Sequence, residues 1–449
     1  MTSGGRRLLV ISYHFPPDGS VGGLRWAGIA KYLAPLGWDV CVLTAAPPST
    51  GSAAHGVRVE LCTPVRTIND YYRLFLRTDQ RSRSRSLEPS GAIEPSGRSG
   101  LWGRLRMELA AFLALPDYSR GWTLRAAVRT RSLLRRFQPS VVVSSGPPHS
   151  AHLAARMATI GRPTRWFIDL RDPWAGPLTK AWIRQTRIEN VLIPRLERLT
   201  FRAADGLIVN TPELAEGLAT KYPNTRLMWV PNGVDRESLP APCPDAFYPG
   251  LGIAYAGTLY GSRDLGPVLR ALGRFLQRCP EAARAGSKLR VAGDAEGSQA
   301  SALQHEIASL SLGPYVDVLG PLPRSRALEL VSRSRLAVVL AQDQELQIPA
   351  KLYESVAMRI PTLVVAARQS AARNEGVRVG ATVCEPNDID GMVRLLEQLW
   401  RAGPQLAPEP GVPIAYKEIA VLVDKVLTGA AGPEIAAPGG IGARPGVAA

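Results

Sequence analysis

Two sets of residues have the types and spacing for chemistry. In the first, P-P-D-G-S-V-G-G (16–23) follows a short apolar run and precedes a helical pattern. Gly19, Gly22 and Gly23 let the backbone turn tightly and come close to a ligand. The helix start behind them offers free N–H groups and the positive end of its dipole to an anion. Further on, DLRDPW (169–174) ends an apolar run with Asp169, Arg171, Asp172 and Trp174. Two carboxylates and an arginine at a strand end are expected to face a cleft rather than the core, because unpaired buried charge is costly. Arg171 could equally serve to neutralise Asp169 or Asp172. His149, in GPPHSAH, stands just ahead of another helical stretch.

The second set is P-A-K-L-Y-E (349–354). Pro349 suits the first turn of a helix. Lys351 then lies near the positive helix end, where its ammonium can meet a diphosphate, and Glu354 follows one turn later. The same two residues could be an ordinary i,i+3 surface pair. The apolar runs LAVVLA (336–341) and TLVVA (362–366) on either side place this helix at a sheet edge.

Other chemistries find little support. Cys41, Cys62, Cys243, Cys279 and Cys384 are scattered and odd in number, without C-x-x-C spacing. Neither a disulfide framework nor a zinc site is expected, and the pattern suits a reducing compartment. His149 and His152 are three apart with no cysteines or H-E-x-x-H context, so no metal or other cofactor is expected. The apolar run after the two N-terminal arginines is too short for a signal peptide. No run approaches the ~20 apolar residues a membrane-spanning helix needs.

The elements that must position these residues alternate between strand and helix, which points to parallel sheets in doubly wound α/β domains. Strands are expected at 8–12, 39–44, 141–146, 165–170 and 206–210, with a possible one at 57–62. Helices are expected at 24–36, 122–137, from 150, and up to 203. The rhythm restarts with strands at 252–258, 288–293, 315–320, 336–341 and 362–366. The helices of this half are expected at 265–277, 326–334, 351–358 and 414–427. A chain of 449 residues exceeds the ~250–300 over which one core usually grows. We therefore expect a first Rossmann-like domain over 1–225 and a second over 226–413. A helix at 414–430 should pack back toward the first domain. Residues 80–100, with RSRSRS, read as a mobile insertion, and 431–449, mostly Gly, Ala and Pro, as a disordered tail.

The order PPDGSVGGLRW, SSGPPHSAHL, DLRDPW, VPNGVD, YAGTLY and IPAKLYESVAMRIPTLVVA resembles retaining GT-B glycosyltransferases of family four. The nearest subgroup makes bacterial surface polysaccharides and glycolipids, and the resemblance runs over about residues 7–430. It implies two Rossmann-like domains facing a central cleft and a hexosyl transfer from a nucleotide-diphosphate sugar to a hydroxyl acceptor. It further implies that the domains close over the donor without a metal. Glu354 would accept hydrogen bonds from the donor ribose. Lys351, Arg263, Thr258, Gly22 and Gly23 would surround the diphosphate. Asp172, with Asp169 and His149, would lie near the reacting sugar, and Arg171 and Trp174 on the acceptor side. The sequence departs from the family in three places. Leu346 stands where a second glutamate is usual, with Asp343, Glu345 and Gln347 close by. Thr258 stands where many relatives have arginine, and Arg263 lies where a lysine is expected.

Net charge is +16. Between Arg66 and Arg136 there are 15 arginines, no lysine and six acidic residues, a local excess of nine positive charges. Tyr71, Tyr72, Leu74, Phe75, Leu101, Trp102, Leu105 and Leu109 are interleaved with them. This mix suits an interfacial segment on anionic lipid, or else a solvated surface. The expected setting is the inner face of the plasma membrane, with a lipid-linked or saccharide acceptor. The lack of aromatic stacking motifs argues against nucleic acid as partner. A nucleotide-sugar epimerase of the same fold, or a non-catalytic binder of anionic surfaces, remains open at this level.

Overall fold

The computed structural model describes residues 6–16, 21–45, 56–66, 101–175, 186–342 and 345–430, with side chains at 21 and 101–107 left aside. The expected insertion (80–100), the expected tail (431–449), Gly19 and Asp343 lie outside these residues. The chain divides into two compact units. One runs to Val230 and takes in residues from Ala420 onward, and the other spans Pro231–Ile419.

In the first unit seven parallel strands form one sheet: β1 (Arg6–Ser12), β2 (Trp38–Thr44), β3 (Val57–Leu61), β4 (Val141–Gly146), β5 (Arg165–Leu170), β6 (Gly206–Val209) and β7 (Leu227–Trp229). Their order is β3-β2-β1-β4-β5-β6-β7. The second unit has six: β8 (Gly252–Ala256), β9 (Lys288–Ala292), β10 (Val316–Gly320), β11 (Leu336–Ala341), β12 (Thr362–Ala366) and β13 (Thr382–Cys384), ordered β10-β9-β8-β11-β12-β13. Central strands such as LLVIS, VVVSSG and LAVVLA are buried throughout. Parallel sheets covered by helices on both faces require such unbroken burial. In each sheet the order reverses beside the first strand, at β1/β4 and at β8/β11. Ligands of open α/β sheets bind outside the carboxyl ends at such a point.

The helix after β1 runs Val21–Leu33, three residues ahead of expectation, and Ala34–Leu36 forms a separate 3₁₀ turn closed by Gly37 at φ 88°. The early start depends on Gly23, where a Cβ would meet the Phe15 backbone at 2.8–2.9 Å. Strands β7 and β13 gave no periodic signal because each is three residues long. The helix Tyr416–Thr428 ends among first-unit residues. Asp424 accepts hydrogen bonds from Arg6 and from Trp38 Nε1, both at 2.8 Å, and Arg165 donates to the Leu427 carbonyl at 3.0 Å.

In the second unit the loops after β8 and β9 lie backbone against backbone. Gly257 N–H donates to the Ala292 carbonyl at 2.8 Å. Gly293 sits at φ 138°, and a Cβ there would overlap the Gly257 carbonyl. Overpacking and a glycine-only backbone each cost ~1–3 kcal/mol. Gly293→Ala should therefore lower stability by about 2–6 kcal/mol in urea denaturation, whereas Gly217→Ala, inside the Pro212–Lys221 helix where a Cβ meets nothing, should hold it or raise it by about 0.5–1 kcal/mol.

Candidate active site

At the carboxyl edge of the first sheet, Asp169 organises three loops. Its carboxylate is fully buried and accepts from Arg25 Nε (3.1 Å), Trp26 Nε1 (2.8 Å) and Ser145 Oγ (2.8 Å). Asp169 therefore does not face a cleft as expected. A buried charge persists where its partners are buried with it, and Arg25 is 2% exposed. The partner is Arg25 rather than Arg171, and it ties GGLRW to SSG and DLRDPW.

Arg171 has another task. Its Nε and backbone N–H donate to the Gly146 carbonyl, at 3.2 and 3.1 Å, and its Nη2 donates to the Pro147 carbonyl. A Cβ on Gly22 would lie 2.9 Å from Arg171 Nη1, so the guanidinium lies against the start of the Val21–Leu33 helix. Burial pulls its pKa down, while Asp172 first and then Asp169 push it back up. Asp172 is half-buried beside it.

His149 is nearly buried and stacks on Trp174, centroids 4.9 Å apart and planes 14° from parallel. Trp174 packs on toward Phe201, which meets Tyr222 edge-on. Glu197 holds the following residue: its carboxylate accepts from Ala175 N–H (2.7 Å), Tyr222 OH (2.6 Å) and Lys221. Asp117 fixes the start of the Ser150–Thr159 helix, accepting from Ser150 N–H (2.8 Å) and Ser150 Oγ (2.6 Å). Burial pushes the Asp117 carboxyl up, and these hydrogen bonds pull it back. The neighbouring Tyr118 hydroxyl meets His14 Nε2 at 2.9 Å.

His152 is wholly buried. Trp166 Nε1 donates to Ser144 Oγ at 2.9 Å, and His152 Nδ1 shares a hydrogen bond with the same hydroxyl, also at 2.9 Å. The ring Nε2 lies over Gly146, where any Cβ would overlap it. Among the described residues no group of three His, Cys, Asp or Glu side chains could hold a metal ion.

At the carboxyl edge of the second sheet, Lys351 and Glu354 lie on the Ala350–Ala357 helix. Lys351 Nζ is 3.0 Å from Glu354 Oε2, and Arg324 donates to Oε1. Glu354 is 4% exposed, so this is not an ordinary surface pair. Arg324 opens the Arg324–Ser332 helix, which follows β10. Both helices start at the carboxyl edge because each follows a strand. A small cavity beside Lys351, Glu354 and Ser355 is lined by Ala254, Ala256 and Ala327. Thr258 and Arg263 lie in the loop after β8. The Thr258 carbonyl accepts from Tyr255 OH at 3.2 Å, and the Arg263 guanidinium lies 4.4 Å from the Tyr260 ring centre. Gln342, after β11, pins this loop by bonding both backbone groups of Asp264, at 3.1 and 2.6 Å. Arg324 thus joins Lys351 on Glu354.

Every anticipated site residue falls at the carboxyl edge of its own sheet. Contact joins Gly22 to Arg171, His149 to Trp174, and Lys351 to Glu354. Arg25 and Trp26 were missed although they adjoin Gly23, because a motif names neighbours and not partners. Asp117, Glu197 and Arg324 carried no signal, since their partners are 22–33 residues away.

Residues 22–233 match the family model described as the glycosyl transferase 4-like domain. No curated protein matches the sequence. Among solved structures, the chain is similar to a sucrose-phosphate synthase of Thermosynechococcus elongatus, at 13% identity and TM-score 0.60, covering 94% of this chain and 98% of that one. It is also similar to HepE of Anabaena in complex with UDP and glucose, at 14% identity and TM-score 0.53, covering 93% and 94%. A third is the lipopolysaccharide outer core galactosyltransferase WaaB, at 12% identity and TM-score 0.53, covering 93% and 99%. At these identities the structures establish the shared fold. The two-sheet architecture and these structures give the chain the GT-B fold, and the glycosyl transferase 4-like match falls on its first unit and the start of the second.

The His152 environment predicts a pH effect on stability. Burial first, and Arg171 after it, bring the imidazole from its ordinary 6.5 to about 3, against an opposing pull from Asp169. Below the unfolded value the unfolded chain takes up a proton that the folded chain refuses, so stability falls as pH drops from 6.5 toward 3. Between pH 7 and pH 5 this residue should account for a loss of about 1–2 kcal/mol. Urea denaturation of wild type and His152→Gln at both pH values should show that much less pH dependence in the variant.

Proposed function

We propose that this chain transfers a hexose, with retention, from a nucleotide-diphosphate sugar to a hydroxyl of a lipid-linked acceptor or polysaccharide precursor in bacterial surface-polymer synthesis. One observation carries the reading. Two cations and one nearly buried carboxylate meet at the carboxyl edge of the second sheet. That combination suits a ligand with phosphate oxygens and sugar hydroxyls side by side. Lys351 and the helix start would meet the negative charge that develops on the leaving nucleoside diphosphate, while Glu354 accepts from the ribose. No metal ion is needed in this scheme. HepE, which shares the fold, is described with UDP and glucose, and WaaB is named for lipopolysaccharide. In the first unit, Asp172, Arg171, His149 and Trp174 are assigned to the sugar and acceptor side. Asp169 positions them through Arg25, Trp26 and Ser145.

The same reading places the protein on the inner face of the plasma membrane. No described helix is long and apolar enough to cross a membrane. The Arg120–Arg136 helix buries Trp122, Leu133 and Leu134 and exposes Leu124 (66%) and Val128 (71%) among Arg125, Arg131 and Arg135. Leu109 and Phe112 are also exposed. Arg129 and Arg136 share Glu60, at 2.9 and 2.7 Å, so part of the arginine excess is matched internally. Tyr71, Tyr72, Leu74 and Phe75, and the side chains of Leu101, Trp102 and Leu105, lie outside the described residues. Apolar groups flanked by guanidinium groups suit a lipid headgroup layer.

Two measurements test this. In calorimetry with the preferred nucleotide-sugar, Lys351→Ala and Glu354→Ala should each lose ~1.5–3 kcal/mol of binding, the usual worth of a charged hydrogen bond. Wild-type affinity in both variants would remove the donor assignment. In flotation at low salt, the protein should rise with anionic vesicles and not with neutral ones, and Arg131→Glu with Arg135→Glu should weaken this. Equal binding to both vesicle types, or none, would refute the membrane reading.

A further inference from the structure

Glu354 poses a question of charge. It is one nearly buried carboxylate facing two cations, each from a different helix. Lys351 reaches Oε2 from the first turn of Glu354's own helix, and Arg324 reaches Oε1 from the start of another. The cluster thus carries a surplus of one positive charge. With Lys351 alone, a bound phosphate would draw the ammonium away and leave a buried carboxylate uncompensated, which is strongly unfavourable. With Arg324 present the two tasks can be divided. Its planar guanidinium stays charged and suits a carboxylate, whereas the lysine ammonium is a point charge on a flexible stem. Arg326, two residues on, is paired with Glu329 at 2.8 Å, so the helix directs one arginine inward and another outward.

We propose that Arg324 is a positioning residue of the donor site: by matching the Glu354 charge from a second helix, it leaves the Lys351 ammonium available to the donor's diphosphate. The inference rests on the nucleotide-diphosphate reading above. It assigns the discrimination between a nucleoside diphosphate and its bare nucleoside to the Arg324–Glu354–Lys351 cluster.

The test uses the full chain, calorimetry with UDP, GDP, ADP and dTDP, and competition by the parent nucleoside of whichever binds. Arg324→Ala should weaken the nucleoside diphosphate about tenfold, equivalent to 1.4 kcal/mol. The nucleoside should change by less than about twofold, because Glu354 still accepts from the ribose. Lys351→Ala should weaken the diphosphate as well, and the double variant should bind no more weakly than Lys351→Ala alone, since the Arg324 effect passes through Lys351. Arg324→Lys should restore most of the affinity. Thermal melts check folding, and Arg324→Gln is read in the same way should the alanine variant not fold. Unchanged diphosphate affinity in Arg324→Ala, an equal loss for the nucleoside, or additive losses in the double variant would overturn the proposal. A wild-type protein that binds none of the four nucleotides would instead overturn the donor reading, and this inference with it.

Discussion

A single buried carboxylate, Asp169, holds the working edge of the first unit together. It ends β5, yet its three partners come from the helix after β1 and from the end of β4. A charge with no solvent access must be matched and hydrogen-bonded where it stands. That requirement fixes the relative positions of the glycine-rich helix start, the SSGPPH turn and the DLRDPW strand end. Arg171 is then free to clamp the carbonyls of Gly146 and Pro147, and Trp174 lies flat on His149. Glu197 and Asp117 play supporting parts, each tying a loop to a helix through backbone N–H groups that would otherwise lack partners.

The second unit applies the same physics with a different balance. Where Asp169 is matched by one buried arginine, Glu354 meets two cations and keeps some exposure. The first arrangement is closed and structural, and the second retains surplus positive charge at a sheet edge. That difference separates a residue that shapes a site from residues suited to receive an anion. The Gly257–Gly293 approach and the Gln342–Asp264 bonds hold the surrounding loops in place.

Much of this was legible in the chain itself. The buried strands announce themselves as unbroken apolar runs, and strand–helix alternation determines parallel sheets. Motif position also determined the edge at which each candidate lies, since every β-to-α turn of a doubly wound sheet emerges at the carboxyl side. The three-residue strands β7 and β13 were not legible, because a pattern of period two needs more residues to declare itself. The segment from Arg66 to Arg136 declared its charge excess, but not that Glu60 takes up two of its arginines.

Partnership is what only the tertiary structure decided. Sequence spacing relates residues within a helix turn, so it could raise the Lys351–Glu354 pair, but it is silent across 30 residues to Arg324 and across 144 from Arg25 to Asp169. Asp169 and Asp172 read alike in DLRDPW. Alternation along a strand and the packing of the neighbouring loops turn one inward to a buried arginine and leave the other half-buried beside Arg171. Side-chain chemistry is written in the sequence. Whether a charge is buried, and which distant group compensates it, follows from how the strands are ordered side by side.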